Sequence, residues 1–276
     1  MFMIFQRNLR SDSMELIENL DTFSGRFSRW KANDELASYP WVENIHSPFT
    51  PVRRALPMLN LALISSAGAY IDGMQAFDTT ARDGDLNFLE IPVEVEAADL
   101  CYAAKGYDPT AVHEDRNSQI PIDRLSEYAA NAVIGGLNNV WWSMSSHIPN
   151  AQRVADDIAP KISDRLHRYE IQAALLIPAS RLCHQTLGII ARSIEQSGIP
   201  TMVISVDPKT TDKARPPRTA YYKGEFGSVA GKPNWREYQL RVLDEALRWT
   251  ETFDQPGSRK LAVDLETQVE AARGER

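Results

Sequence analysis

The sequence predicts an α/β protein built on a parallel sheet, and three consecutive segments carry this prediction. Residues 171–177 are an apolar run of strand length, residues 183–194 place apolar side chains at helical spacing, and residues 201–205 are rich in β-formers. A strand, a helix and a strand of these lengths predict a βαβ unit, whose strands are parallel and joined by a right-handed crossover. We therefore expect Rossmann- or flavodoxin-like layers.

The remaining elements fit the same fold class. Residues 59–64 form another apolar run that predicts a buried strand, and the small residues at 65–69 suit a tight loop at its end. Residues 72–120 are rich in turn formers and predict loops and short strands. A helix is predicted from Asp123, with an extended segment at 134–142 after it.

Towards the C-terminus, Pro160 suits the first turn of a helix. Residues 207–218 predict a loop rich in proline and basic residues, and Asn234 with Glu237 predicts the start of a last helix. We divide the chain into an N-terminal packing arm over residues 1–55, one α/β domain over residues 56–253 and a polar tail over residues 254–276.

Composition excludes several classes of protein. With 30 Lys and Arg against 37 Asp and Glu, the net charge of the 276 residues is −7, which disfavours nucleic acid as a partner. No apolar stretch is long enough to span a bilayer, and the N-terminus lacks the order of a signal peptide. Two cysteines cannot form a disulfide framework. We expect a cytoplasmic protein that does not bind membranes.

The segment 178–185 is the strongest candidate site, because ligands of such sheets bind beyond the carboxyl ends of the strands. It carries one of the two cysteines, Cys183, beside one of the five histidines, His184. Ser180 is positioned to cap the following helix, which would place Cys183 in its first turn. There the helix dipole would lower the pKa of the thiol and favour the thiolate.

Other interpretations of this segment stay open. Cys183 lies on the same stripe as Leu187 and Ile190, so it could equally be a small core residue. Ser180 is better explained as a helix cap than as a nucleophile, although Ser180 and His184 are four residues apart and could form a serine–base pair. No acidic residue that would orient such a base is identifiable.

Metal and nucleotide sites find less support in the sequence. The cysteines, histidines and acidic residues match no compact metal motif, and no glycine-rich phosphate loop follows a predicted strand. We therefore expect no metal and no cofactor. In the basic loop, Arg218 is the best candidate for a clamp on a substrate carboxylate, because two prolines stiffen its approach; the alternative is a solvated loop.

Several short segments, taken in order, resemble the selenoprotein B family, the B component of the glycine, sarcosine, betaine and D-proline reductases. They span roughly residues 50–250, and the region around Cys183 is the most specific. The matching segments are residues 62–68, 84–92, 115–117, 121–125, 133–137, 183–188 and 195–201.

The resemblance implies an α/β subunit that cleaves a carbon–nitrogen bond reductively in an amino acid or another amine-bearing substrate. In the family, a selenocysteine stands three residues before a cysteine at the strand-to-helix turn. Here Ser180 occupies the selenocysteine position and Cys183 that of the cysteine. A serine hydroxyl cannot replace a selenolate, so the selenium–sulfur step does not carry over. Some family enzymes also use a pyruvoyl-bearing subunit, which this chain would have to find in a partner.

From the resemblance we expect a thiol-dependent enzyme that acts on a small amine- or carboxylate-bearing substrate by reductive cleavage or elimination. Cys183 would react and His184 would tune its thiol. Ser66 and Gly68 would line the site, and Asp115 and Asn117 would bind polar groups of the substrate. The alternative is a divergent, non-catalytic subunit that binds a partner or a small ligand. Either a second copy of the chain or a partner subunit could complete the assembly.

Overall fold

The computed structural model describes residues 14–31 and 36–263. The strands are β1 (Asn60–Ser65), β2 (Ala69–Ile71), β3 (Phe88–Pro92), β4 (Leu100–Tyr102), β5 (Gly136–Leu137), β6 (Val140–Met144), β7 (Ala173–Ile177), β8 (Thr201–Ser205), β9 (Arg218–Tyr221) and β10 (Gly257–Lys260). The helices are α1 (Leu20–Phe27), α2 (Thr110–Glu114), α3 (Ile122–Ala130), α4 (Ala151–Arg153), α5 (Ala159–Arg168), α6 (Arg181–Gln196), α7 (Pro208–Ala214) and α8 (Arg236–Thr252). A π-helical segment, Val154–Ile158, joins α4 to α5.

A mostly parallel sheet forms the centre of the molecule, as the sequence predicts. Its strand order is β10-β9-β8-β7-β1-β6-β3, and β5 also pairs with β1. All neighbours are parallel except β3, which runs antiparallel to β6. The predicted βαβ unit is β7-α6-β8, and β7 and β8 pair in parallel from Ala174 with Thr201 onwards. Strands β2 and β4 form a separate antiparallel pair.

Two apolar cores cover the two faces of this sheet, because side chains alternate along each strand. Leu61 and Leu63 of β1 face a core shared with α3 and α8, whereas Ala62 and Ile64 face a core shared with α5 and α6. Helix α6 is therefore packed along one face of the sheet, and its first turn lies at the carboxyl ends of the parallel strands.

The N-terminal arm packs on the α6 side of the sheet. Trp30 and Tyr39 are buried in that core. Arg192 of α6 is fully buried and donates hydrogen bonds to the carbonyls of Glu15, Leu16 and His46 in the arm. The arm is thus fastened to α6 at Glu15, Leu16 and His46, and its residues 1–13 and 32–35 lie outside the described part.

Two sequence predictions about the C-terminal third are wrong. The segment 207–218, predicted as a loop, contains helix α7, because Asp207 caps it by accepting from the amide of Thr210 and Pro208 fixes its first turn. The tail predicted from residue 254 first contributes strand β10, which pairs in parallel with β9; the rest of the tail, from 264, is outside the described residues. In the described part of the chain, no helix is both long and apolar enough to cross a bilayer.

Candidate active site

The candidate site is built on the turn between β7 and α6. Strand β7 ends at Ile177, and Ser180 adopts an extended backbone with φ of −127° before the helix begins. The Oγ of Ser180 accepts a hydrogen bond from the amide of Cys183 at 3.3 Å. Ser180 is therefore the helix cap that the sequence predicts, and it holds Cys183 in the first turn of α6.

The ends of three parallel strands converge on the sulfur of Cys183. Its Sγ lies 3.1 Å from the Oγ of Ser180, 3.2 Å from the carbonyl oxygen of Ser146 and 3.5 Å from that of Ser66. Ser66 follows β1, Ser146 follows β6 and Ser180 follows β7. The sulfur thus occupies the place where ligands bind in sheets of this kind.

The thiol of Cys183 is protonated in this environment, contrary to the expectation from the helix dipole. Cys183 is 2% exposed, and burial raises the pKa of its thiol, outweighing the hydrogen bonds from Ser180 and Ser66 that lower it. The carbonyls of Ser146 and Ser66 accept from a thiol but would repel a thiolate. Burial and these carbonyl contacts therefore favour a neutral, masked thiol.

His184 does not act on the thiol as predicted. Its side chain is fully buried, its Nδ1 lies 2.7 Å from the carbonyl oxygen of Ser180, and its Nε2 accepts from the amide of Val206 at 3.3 Å. Burial lowers the pKa of His184 to about 4. A neutral imidazole that donates through Nδ1 and accepts through Nε2 has both nitrogens occupied by the backbone. The alternative in which His184 serves as the general base for Ser180 is likewise not supported. Among the described residues there is no hydrogen bond between these two side chains.

Ser66 lies beside Cys183, with its carbonyl oxygen 3.5 Å from Sγ, and both Ser66 and Gly68 hold neighbouring backbone segments in place. The Oγ of Ser66 accepts from the amide of Ala179 at 3.2 Å, which ties the end of β1 to the turn after β7. Gly68 has φ of +69°, and a Cβ there would lie 2.5 Å from the carbonyl oxygen of Ala103. Only glycine allows this approach, so Gly68 brings the segment after β4 over the site.

Two segments pack over the turn at residues 179–180, beside the buried thiol. The first is residues 103–108, in which Gly106 packs against Ser180 and Tyr107 donates to the carbonyl of Ala67 at 2.6 Å. The second is residues 225–228, in which the amide of Gly227 donates to the carbonyl of Ala179 at 2.9 Å. A Cβ on Gly227 would meet the ring of Tyr107 at 2.5 Å, so the two segments touch. We call them together the cover.

The side chains of Asp115 and Asn117 form hydrogen bonds within the protein and are not available to bind a ligand. One carboxylate oxygen of Asp115 accepts from the amide and side chain of Asn117, and the other accepts from Asn234 and from Gln239. Burial opposes the charge on Asp115, but these hydrogen bonds outweigh it and lower its pKa. Asn117 is buried and also bonds Asp123 through both side-chain atoms. The prediction that these two residues bind substrate is therefore corrected: they fasten α8 and α3 to the loop before α3.

The prediction that Arg218 clamps a substrate carboxylate is wrong. This residue begins β9, at the amino end of the sheet and away from the candidate site. Its side chain is fully buried, pairs with the equally buried Glu195, donates to the carbonyl of Thr50 at 2.6 Å and stacks on Phe49 at 4.2 Å. It cannot clamp a substrate carboxylate because its charge already serves an internal ion pair.

The second cysteine lies on the separate antiparallel strand pair. Cys101 is on β4, where it pairs with Tyr70 of β2, and its Sγ is 3.9 Å from a carboxylate oxygen of Asp72. Both cysteines are free thiols. Within residues 14–31 and 36–263, no group of three histidines, cysteines or acidic residues is arranged to hold a metal ion.

Sequence reasoning missed three residues of this site. Ser146 could have been found, because small polar residues follow the predicted strand at 134–142 just as Ser65 and Ser66 follow the strand at 59–64. Tyr107 and Gly227 carry no such signal, because only the fold brings their segments over Cys183.

Comparisons with known proteins find similarity to subunits of amino-acid reductases. The family model described as "Glycine/sarcosine/betaine reductase selenoprotein B" matches residues 88–179. The D-proline reductase subunit gamma of Acetoanaerobium sticklandii is 28% identical over 200 residues, which cover 72% of this chain and 81% of that protein. The glycine reductase complex component B subunit gamma of Symbiobacterium thermophilum is 25% identical over 177 residues, covering 62% of this chain and 40% of that protein.

A second glycine reductase complex component B subunit gamma, from Peptoclostridium litorale, is 27% identical over 99 residues, 36% of this chain and 22% of that protein. The chain thus spans less than half the length of these two glycine reductase subunits. No solved structure matches the chain. The resemblance stated from the sequence is confirmed: this chain is related to the selenoprotein B family of the glycine, sarcosine and betaine reductases.

Proposed function

We propose that the chain is a subunit of an amino-acid reductase-like complex and that it acts on a small amine- or carboxylate-bearing substrate through the Cys183 thiol. The observation that carries this proposal is the convergence of three strand ends on Sγ, at 3.1 to 3.5 Å. The similarity to subunits of two kinds of reductase supports the reaction class.

The reaction requires the cover to open. In the closed state the sulfur is buried, and burial keeps its pKa raised. When residues 103–108 and 225–228 move apart, water would reach Cys183 and the helix N-terminus could then favour the thiolate. Ser180 keeps its role as the cap that aims the sulfur.

The reductive chemistry balances with external thiols as the electron source. The Cys183 sulfur forms a bond to the substrate carbon as the carbon–nitrogen bond breaks, and the amine leaves with a proton. A first external thiol then attacks the Cys183 sulfur, so the substrate carbon departs with the bonding electrons and takes up a proton. A second external thiol reduces the mixed disulfide and restores Cys183. Elimination of the amine without a redox change is the second reaction open to this thiol.

A second candidate function is favoured by one specific observation. Ser180 occupies the position at which the resembling family carries selenocysteine, and the structure uses its hydroxyl as a cap. In a non-catalytic subunit that binds a small ligand on the same fold, Ser180 would need only this role as a helix cap.

The test is turnover by the chain together with its complex partners. Glycine, sarcosine, betaine and D-proline would be supplied with a dithiol, and release of ammonia or amine would be measured. Wild-type protein, Cys183→Ala and Cys101→Ser are compared, the last being the matched control for loss of a thiol. We expect Cys183→Ala to lose turnover by at least about 1,000-fold and Cys101→Ser to keep it. Turnover retained by Cys183→Ala would establish the non-catalytic alternative for this subunit.

A further inference from the structure

A cavity of about 480 Å³ lies next to the cover, and none of the roles described above uses it. It sits between α2 and residues 222–238, beyond the carboxyl end of β9. Its size falls in the range of sites for small molecules. It therefore occupies the end of the sheet at which ligands bind, two strands further along than the turn at Cys183.

The floor of this cavity is aromatic. Tyr222 and Tyr238 are buried, and their ring centroids are 6.2 Å apart. The hydroxyl of Tyr222 is held by the carbonyl of Val229 at 3.1 Å, so its ring is fixed in place. The half-buried ring of Phe226 adds a third aromatic wall. Burial of a ligand's apolar side chain on this floor would be favourable, because its apolar surface leaves water.

The mouth of the cavity carries both signs of charge. Its charged lining residues are all exposed, and they are Asp108, Glu114, Lys223, Glu225 and Lys232. The Nζ of Lys232 lies 5.3 Å from the ring of Trp235 and 5.6 Å from that of Tyr238, which places a cation at the edge of the aromatic floor. A ligand with one positive and one negative group can satisfy such a rim.

The cavity and the thiol share one wall. Phe226 lines the cavity, and its ring lies 5.6 Å from that of His184, the neighbour of Cys183 in α6. The next residue, Gly227, donates to the carbonyl of Ala179 and touches Tyr107. Movement of residues 225–228 would therefore change both the cavity and the cover.

We propose that this cavity binds the substrate and that it selects amino acids with an apolar or aromatic side chain over glycine. The side chain lies on the floor formed by Tyr222, Tyr238 and Phe226, and Lys232 at the rim pairs with the carboxylate. The identification of the ligand as a substrate rests on the function proposed above, whereas the binding itself does not depend on Cys183.

The experiment is isothermal titration calorimetry, which measures the dissociation constants of the full-length chain for glycine and for both enantiomers of phenylalanine and proline. We expect at least one phenylalanine enantiomer to bind saturably and at least about tenfold more tightly than glycine. Lys232→Gln should weaken this binding by about tenfold, and Phe226→Ala should weaken it by a similar factor. Lys209→Gln, the same change on an exposed part of α7, is the matched control and should bind like wild type.

Each outcome decides the proposal separately from the function. Absence of saturable binding, equal affinity for glycine, or equal affinity of Lys232→Gln and Lys209→Gln would overturn the cavity assignment, provided that the melting temperature shows each variant to be folded. Turnover that depends on Cys183 without this binding pattern would leave the proposed function standing and remove the cavity. Selective binding together with turnover that does not depend on Cys183 would leave the cavity assignment standing and remove the proposed function.

Discussion

The two ends of helix α6 hold two buried polar clusters that differ in charge. At the first turn, Ser180, Cys183 and His184 are neutral and are satisfied by backbone groups. Near the last turn, Glu195 pairs with Arg218, and burial raises the pKa of the carboxyl and lowers that of the guanidinium while their contact opposes both shifts.

This difference separates a site that can change state from one that cannot. The carboxylate of Glu195 also accepts from the amides of Thr50 and Thr201, so the ion pair fastens the arm and β8 to α6. Removing either charge would leave its partner buried and unpaired. A neutral thiol beneath a cover can be exposed without such a penalty, and this supports the proposal of Cys183 as the reacting group.

Replacing Arg218 with methionine should produce the largest effect and would test the charged end. The substitution leaves the Glu195 carboxylate buried without its partner, and a loss of about 3–5 kcal/mol in the free energy of unfolding is expected. Urea denaturation measures it. The double variant with Glu195→Gln should recover part of the loss, and a loss below about 1 kcal/mol in the single variant would show that the pair is not structural.

Gly227→Ala tests the cover at the neutral end. Its φ is +79°, and an added Cβ would meet the Tyr107 ring at 2.5 Å and the carbonyl oxygen of Asp108 at 2.6 Å. A loss of about 2–3 kcal/mol in the free energy of unfolding is expected. Gly73→Ala is the matched control, because Gly73 has the same φ but open space around it, and it should lose only about 1 kcal/mol. Equal losses in the two variants would mean that the two halves of the cover are not in contact.

The buried imidazole of His184 predicts a pH dependence. Its pKa is lowered by burial to about 4, whereas an unfolded histidine titrates near 6.5. Between these values the unfolded chain binds more protons, so this contribution to stability is full above pH 6.5 and falls as the pH drops towards 4.

From pH 7 to pH 5, wild type should lose about 2 kcal/mol more than His184→Gln does. His167→Gln, at an exposed position, is the control and should fall with pH as wild type does. If His184→Gln also follows the wild-type curve, His184 is not buried in its neutral form.

Ser180→Ala should have the smallest effect on stability. It removes the hydroxyl that caps α6, and about 1 kcal/mol should be lost from the free energy of unfolding. Turnover in the complex should persist, because Ser180 has no covalent role in the proposed reaction. Loss of turnover as complete as in Cys183→Ala would instead show that Ser180 takes part in the reaction.

The sequence predicted the layers of the fold because periodicity and turn residues are local signals. Strands β1, β7 and β8 and helix α6 were found this way, together with the cap at Ser180. Helix α7 was missed, because it is short and its sequence is dominated by polar residues and proline. Strand β10 was missed because its polar residues pair at the edge of the sheet.

The candidate site was only partly predictable. Cys183 and Ser66 could be placed at strand ends, but the direction of the Cys183 pKa shift depends on burial beneath segments that are distant in sequence. The roles predicted for Arg218, Asp115 and Asn117 failed for a similar reason. A charged or polar residue looks the same in a sequence whether its partner is a ligand or, as here, Glu195 or Gln239 inside the protein.

The rate of alkylation of Cys183 by iodoacetamide tests the masked thiol most directly. In a Cys101→Ser background Cys183 is the sole thiol of the chain, and mass spectrometry follows its modification at neutral pH. We predict a rate at least about 100-fold below that of a short peptide thiol, and a rise of about tenfold or more when Gly227→Ala is added. Alkylation of Cys183 as fast as that of the peptide thiol would contradict the burial of the thiol beneath the cover, as would an unchanged rate in the Gly227→Ala variant.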